Sequence, residues 1–122
     1  MTAIEKFVSP TPTLDSSTSI FDTIEYLIIN NCDHTFVQQD GNMIGIVSAN
    51  LLLENYKSQD LSGTSIREYM GPFITIKGNA PKSQAVEIMS EHDIDCIAVT
   101  NLNGVLLGVA AFNNLGNSSS VA

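Results

Sequence analysis

The feature that most constrains this chain is that it repeats itself. Displaced by 62 positions, Ile4-Glu5-Lys6-Phe7-Val8-Ser9-Pro10 falls on Ile66-Arg67-Glu68-Tyr69-Met70-Gly71-Pro72, so that apolar, aromatic and proline positions coincide. The same displacement sets Thr13-Leu14 on Thr75-Ile76, Ile24-Glu25 on Val86-Glu87, Leu27 on Met89, Asp33 on Asp95 and Val37 on Val99. One extra residue in the second half moves the match to 63, where Gly41-Asn42-Met43-Ile44-Gly45-Ile46-Val47 meets Gly104-Val105-Leu106-Leu107-Gly108-Val109-Ala110. Asn50 and Leu52 then meet Asn113 and Leu115. A duplication over nearly all of the 122 residues means that one unit is built twice. The halves span 3–61 and 65–116, and the serine-rich remainder, 117–122, is expected to be a disordered tail.

The two halves share one order of elements. A short extended entry at Thr13-Leu14, or Ile74-Thr75-Ile76, precedes a helix. Ser19-Ile20-Phe21-Asp22 resembles a capping box, and Ile20, Ile24, Leu27 and Ile28 recur at helical spacing. In the second half Pro81 suits the first helical turn, and Ala85, Val86, Ile88 and Met89 supply the buried face. Strands follow at Thr35-Phe36-Val37 and Cys96-Ile97-Ala98-Val99. Asp40-Gly41 and Asn103-Gly104 then signal hairpins, because these residues tolerate the positive φ of tight turns. Strands at 43–47 and 105–110 lead into helices at 49–56 and near 112–115. The order strand, helix, strand, strand, helix occurs twice, and such a unit leaves an apolar sheet face that a second copy covers.

Composition narrows the partners. Thirteen acidic residues against five basic ones give a net charge of −8, which repels nucleic acid and offers nothing to an anionic membrane. No apolar run approaches the roughly 20 residues that span a bilayer, and Met1-Thr2-Ala3-Ile4-Glu5-Lys6 lacks a signal-peptide layout. The expectation is a cytoplasmic chain. Cys32 and Cys96 lie in or beside apolar stretches without a CxxC spacing and read as buried, reduced thiols. His34 and His92 have no ligand set around them, so no metal site is expected. No Ser/His/acid set, Cys/His set or Gly-rich phosphate loop shows a recognisable spacing, and Asp15, Asp22 and Asp33 read as cap, helix and loop residues. Catalysis is not expected.

The element order, the apolar-plus-proline lead-in, the hairpin glycine and the Gly-hydrophobic-hydrophobic segment before the last helix resemble the cystathionine β-synthase-type (CBS) domain family. The resemblance covers residues 3 to 116, and Tyr69-Met70-Gly71-Pro72 is similar to the link between paired CBS domains. It implies an α+β fold of two CBS-type β-α-β-β-α repeats packed sheet to sheet with pseudo-twofold symmetry. It further implies a regulatory module that senses an adenosine-type ligand, AMP or a related nucleotide, in a cleft between repeats. Such modules often form homodimers, and for this chain the resemblance implies a homodimer and no required cofactor beyond an AMP- or adenosine-type ligand. The alternative it leaves open is a dimerisation or partner-docking module that binds no ligand.

In nucleotide-binding members, each half can carry Gly-h-x-Thr/Ser-x-x-Asp at the end of its last strand. A short hydroxyl and a carboxylate one helical turn apart then converge on the ribose, while apolar strand and lead-in residues sandwich adenine. Here the first half reads Gly45-Ile46-Val47-Ser48-Ala49-Asn50-Leu51, which keeps the hydroxyl and puts Leu51 in place of the acid. The second reads Gly108-Val109-Ala110-Ala111-Phe112-Asn113-Asn114, which loses the hydroxyl and keeps an amide. Losing such a partner weakens binding by roughly 1 to 3 kcal/mol, or about one to two orders of magnitude. Asn114 therefore marks the better candidate site. The resemblance adds Ala111, the strand residues Cys96 and Ile97, the lead-in Gly71, Pro72, Phe73 and Ile74 as an adenine wall, and Ser48.

Structural readings stand beside these. Ser48 precedes a helix and reads equally as a cap. Asn114 is balanced between ligand and surface roles, and Asn50 and Asn113 favour a local backbone or surface role. Only Lys6, Lys57, Arg67, Lys77 and Lys82 could meet phosphate, and exposed counter-charge is their default role. A module this acidic is expected to prefer adenosine-like ligands and AMP over ATP.

Overall fold

In the computed structural model, which describes residues 2–58 and 63–115, the chain is a mixed α+β protein with two sheets, one in each of two compact units. The central unit is Thr11–Phe73; the terminal unit joins Met1–Pro10 to Ile74–Ala122. The expected tail at 117–122 lies outside the described residues, as does the end of the first repeat at 59–61.

The central sheet runs in the order β1 (Thr13–Asp15), β2 (His34–Gln39), β3 (Asn42–Ser48) and β4 (Gly71–Pro72), with helices α1 (Ile20–Ile29) and α2 (Ala49–Ser58). The terminal sheet is β5 (Thr75–Lys77), β6 (Cys96–Thr100) and β7 (Leu106–Ala111), with helix α3 (Lys82–His92) and a helical turn at 112–115. In both, the first strand is parallel and the third antiparallel to the middle one.

The compact units are cut differently from the sequence repeats, because the two lead-ins are exchanged. The second lead-in supplies β4, which pairs with β3 through Gly45↔Pro72 and Ile46↔Gly71. The first lies on β7, where Ser9 and Val109 donate N–H groups to each other's carbonyls at 2.9 and 3.1 Å. Each lead-in also carries a 3-10 turn, at Ile66–Tyr69 and Ile4–Phe7. Ile66 N donates to Thr18 O at 3.0 Å in one unit, and Ile4 N to Ala80 O at 2.8 Å in the other.

These crossings explain the glycines of the repeat. A Cβ on Gly45 would lie 2.7 Å from both the Gly71 carbonyl oxygen and Met70 Sδ. One on Gly108, whose φ is +148°, would strike the Ser9 carbonyl and Val8. Only glycine lets a lead-in pass so close over the strand.

Each unit has its own core. Ile20, Val37, Val47, Leu52 and Ile66 form one, flanked by Leu14, Ile24, Ile44, Tyr69 and Met70. Ile4, Ile76, Ala85, Met89, Ile97, Val99, Ala110 and Leu115 form the other. Thus Ile4 and Ile66 each plug the core of the unit that receives their lead-in.

The helix starts follow the sequence. Ser19 caps α1, its hydroxyl accepting from Asp22 N at 3.0 Å, and Pro81 sits at the N-cap of α3. Ile28 departs from the expected buried stripe. It lies 64% exposed, because the buried arc of α1 is narrow and centred on Ile20, Thr23 and Leu27. Both helices are followed by a left-handed residue, Asn31 and Asp93, with φ of 54° and 53°.

The two hairpins differ as the one-residue insertion requires. Asp40 and Gly41 both have positive φ, 54° and 82°, in a tight turn between paired Gln39 and Asn42. The longer loop 101–105 is organised by Asn101, whose Oδ1 accepts from Asn103 N at 2.8 Å and Val105 N at 3.0 Å.

Candidate functional site

The candidate residues sit at the end of the last strand in each unit and on the lead-in beside it. The two strand ends share a construction. Ala49 N, opening α2, donates to Asp33 O at 2.9 Å; Phe112 N, opening the turn at 112–115, donates to Asp95 O at 2.7 Å. The repeated aspartates thus fix the strand-to-helix corner through their backbone carbonyls.

In the central unit the corner carries Ser48, half-buried and cross-strand from His34. Gly71 and Pro72 run exposed along β3 in the same unit. Phe73 follows them and meets Phe36 edge to face, with ring centroids 5.9 Å apart at 78°. Leu51, where the family pattern has an acid, is 40% exposed on α2.

In the terminal unit the corner carries Ala111, cross-strand from Cys96, both half-buried, with Asn114 exposed one turn further on. Ile74 C=O accepts from Ala98 N at 2.9 Å, which ties the start of this unit to β6. Ile97 belongs to the core. It is fully buried and paired with Ala110, and strand alternation turns its side chain to the sheet face opposite Cys96 and Ala111.

Ser48 therefore shares a unit with Gly71, Pro72 and Phe73, whereas Asn114 shares one with Ile74, Cys96, Ile97 and Ala111. The lead-in residues in Asn114's own unit are Val8, Ser9 and Pro10, of which Ser9 bridges to Val109 of β7; the sequence-based expectation does not include them. Their signal was present in the alignment of Ser9-Pro10 with Gly71-Pro72 and of Gly108 with Gly45.

Electrostatics at the corner are mild. Cys96 is free, as is Cys32, and both are half-buried, less enclosed than expected. Burial, then the charge of Asp95 and the hydrogen bond with it, push the Cys96 thiol up to about 12. It is a neutral, inert group at pH 7, since the thiolate is the nucleophile and metal ligand. Two cations of the second repeat serve carbonyls: Lys77 Nζ donates to Leu102 O at 3.4 Å and Lys82 Nζ to Leu115 O at 3.2 Å. Lys82 also lies over the Phe7 ring, 5.5 Å from its centroid. Among the described residues no cluster of His, Cys, Asp and Glu could hold a metal ion, and no helix is long and apolar enough to cross a membrane.

This geometry agrees with what the chain is similar to. Residues 66–112 match the family model described as CBS domain. Solved structures share the fold over almost the whole chain. The CBS domain pair of protein MJ0100, in complex with 5′-methylthioadenosine and S-adenosyl-L-methionine, is 21% identical with a TM-score of 0.77, over 99% of this chain and 98% of that one. The CBS domain protein PAE2072 from Pyrobaculum aerophilum, complexed with AMP, is 21% identical with a TM-score of 0.73, over 99% and 100%. The CBS domain of a bacterial CNNM/CorC family Mg2+ transporter, in complex with ATP, is 14% identical with a TM-score of 0.73, over 95% and 85%. No curated protein matches the sequence. Residues 66–112 are thus similar in sequence to a CBS domain. The chain as a whole has the fold of a tandem CBS-domain pair.

Proposed function

We propose that this chain is a regulatory CBS pair that senses a small adenosine-type ligand, AMP or a close relative, and that it acts by binding and not by catalysis. The observation that carries the reading is the duplicated strand-end corner, held by Asp33 and Asp95 carbonyls and leaving Ser48 in one unit and Asn114 in the other. The fold neighbours described with AMP, with S-adenosyl-L-methionine and with ATP support this class of ligand. Asn114 supplies an exposed amide able both to donate to and to accept from a ribose hydroxyl. Lys77 and Lys82 are engaged with carbonyls, so a lightly charged ligand suits the chain better than ATP.

A ligand that binds only the folded chain raises its apparent stability, by about 2.7 kcal/mol at a hundred times its Kd. A thermal-shift panel of AMP, ADP, ATP, S-adenosylmethionine and NADH, with and without magnesium, is expected to show the largest shift with AMP or S-adenosylmethionine. No shift with any of them at millimolar concentration would overturn the reading. Asn114→Ala is expected to weaken the responding ligand about tenfold or more and Ser48→Ala less. The reverse order would place the site on the central unit.

A second reading, a module for homodimerisation or partner docking without ligand, is favoured by one observation. Large apolar side chains stand exposed on α1 and α2: Phe21, Ile28, Ile29 and Tyr56.

A further inference from the structure

The chain contains a single Asn-Gly pair, Asn103-Gly104, and it lies at the tip of the β6–β7 hairpin. With no Cβ on Gly104, nothing screens the Asn103 carboxamide from the backbone nitrogen that follows it. Attack of that nitrogen on Asn103 Cγ forms the Gly104 N–Cγ bond and breaks the Cγ–Nδ2 bond. Nδ2 leaves as ammonia, carrying the Gly104 amide proton. Water then opens the cyclic imide at one of its two carbonyls. Cleavage of the new bond leaves an aspartate; cleavage of the original peptide bond leaves an isoaspartate, whose main chain runs through Cγ. Water is the only co-reactant, and nothing is oxidised or reduced.

The folded loop presents this pair to water and at the same time restrains it. Leu102, Asn103, Gly104 and Val105 are all exposed. Gly104 N, the attacking atom, donates to Asn101 O at 3.1 Å. Asn101 Oδ1 accepts from Asn103 N at 2.8 Å and from Val105 N at 3.0 Å, one on each side of the reacting peptide bond. Asn101 N donates to Val105 O at 2.8 Å, and Lys77 Nζ tethers the Leu102 carbonyl. Gly104 N must turn from the Asn101 carbonyl toward Asn103 Cγ before it can attack, so the loop has to open first. The corresponding pair of the central hairpin, Asp40-Gly41, has no amide to lose, and the repeat therefore folds with either group at this tip.

We propose that Asn103 is a site of spontaneous deamidation whose rate is set by opening of the 101–105 loop, with Asn101 as the residue that keeps the loop closed. Each conversion adds a negative charge to a chain already at −8 and records the time the loop has spent open. The two products differ in consequence. An aspartate leaves the main chain as it was. An isoaspartate inserts a methylene into the main chain between the two N–H groups that Asn101 Oδ1 holds, so the pair of bonds is broken. The Thr100↔Leu106 pairing beside the loop then loses its support. The inference does not depend on which ligand the chain senses, or on whether it senses one.

The test incubates the full chain at mildly alkaline pH, folded and in urea, and follows conversion at Asn103 by peptide mapping and mass spectrometry. The folded chain is expected to convert more slowly than the unfolded one, by about tenfold or more. Asn101→Ala removes the two side-chain bonds and is expected to speed conversion of the folded chain about tenfold, with the rate in urea unchanged. Asn101→Asp keeps an acceptor oxygen and is expected to stay within about threefold of the wild-type rate. Circular dichroism checks that each variant is folded during incubation. If Asn101→Ala does not fold, the wild-type chain in sub-denaturing urea serves instead: conversion is expected to rise in step with hydrogen exchange at Gly104 N. Equal rates for the folded and unfolded wild-type chain, an Asn101→Ala chain that converts no faster, or no conversion at Asn103 in urea overturns the proposal. So does conversion that rises only with global unfolding.

Discussion

The central and terminal units are two versions of one design, and where they differ is more informative than where they agree. Both receive a lead-in from the other repeat across a glycine, and both anchor the strand-end corner on an aspartate carbonyl. They part at the crossing itself, at a core position on the middle strand, at the corner side chains and on the outer helix face. The shared features are what the topology demands of any such unit. The crossing and the core position differ in how the same structural demand is met, whereas the corner side chains and the outer helix face are positions the topology leaves free, and there an unusual residue points to function and not to folding.

The crossing offers the severest test of that division. At Gly108 the lead-in backbone lies against the strand and φ is +148°, so an added Cβ meets a carbonyl and a strained backbone together. At Gly45 two of the three nearest contacts are with the Met70 side chain, which can turn aside, and one is with the Gly71 carbonyl. Gly108→Ala is expected to cost about 3 kcal/mol and Gly45→Ala about 2 kcal/mol in urea unfolding. Equal or reversed costs would mean that the two crossings are not the same device built to different tolerances.

A smaller effect separates the two cores. Ile97 on β6 corresponds to Thr35 on β2, and both are fully buried. The terminal unit fills the position with an aliphatic chain. The central unit fills it with a hydroxyl that donates to Pro12 O at 3.1 Å, holding the segment before β1. Ile97→Ala is expected to cost about 3 kcal/mol, the cavity value. Thr35→Val keeps the shape and loses the hydrogen bond, for about 1 kcal/mol. Thermal denaturation of the two variants ranks them. If Thr35→Val cost as much as Ile97→Ala, the central unit would rest on its polar contact more heavily than the comparison allows.

Much of this was legible in the residues. Ser19 announced the cap of α1, Asp40-Gly41 the tight hairpin, and the period of 62 the duplicated unit, because each is a local or periodic signal. The exchange of lead-ins was not legible. Pairing between Ser9 and Val109 joins segments a hundred residues apart, and a repeat looks the same whether a lead-in packs on its own half or on the other. For the same reason the sequence leaves open which corner Gly71 to Phe73 accompany; they share a unit with Ser48. The resemblance names Ile97 together with Cys96 as strand residues of the site, and alternation along β6 turns the Ile97 side chain to the buried core face. Ile28 fitted a helical period yet lies outside the narrow arc that α1 buries. The loop at 101–105 looked like an Asn-Gly turn, whereas the Asn101 side chain shapes it.

The subtlest difference lies at the first residue of the middle strand, His34 in one unit and Cys96 in the other, facing Ser48 and Ala111 respectively. Burial and Asp95 raise the Cys96 thiol from the ordinary 9.0 to about 12, so the folded chain favours the protonated form. Below about pH 9 both folded and unfolded chains keep this proton and the contribution is fully present. Above it the unfolded chain releases the proton first, so stability falls as the pH rises toward about 12. Tyr and Lys residues titrate in the same range, so the readout is the difference between the wild-type chain and Cys96→Ala. At pH 9.5 that difference is expected to narrow by under about 1 kcal/mol relative to pH 8. Parallel curves would mean that the corner below Ala111 is as open to water as an unhindered thiol, and the two corners would then differ in their side chains alone.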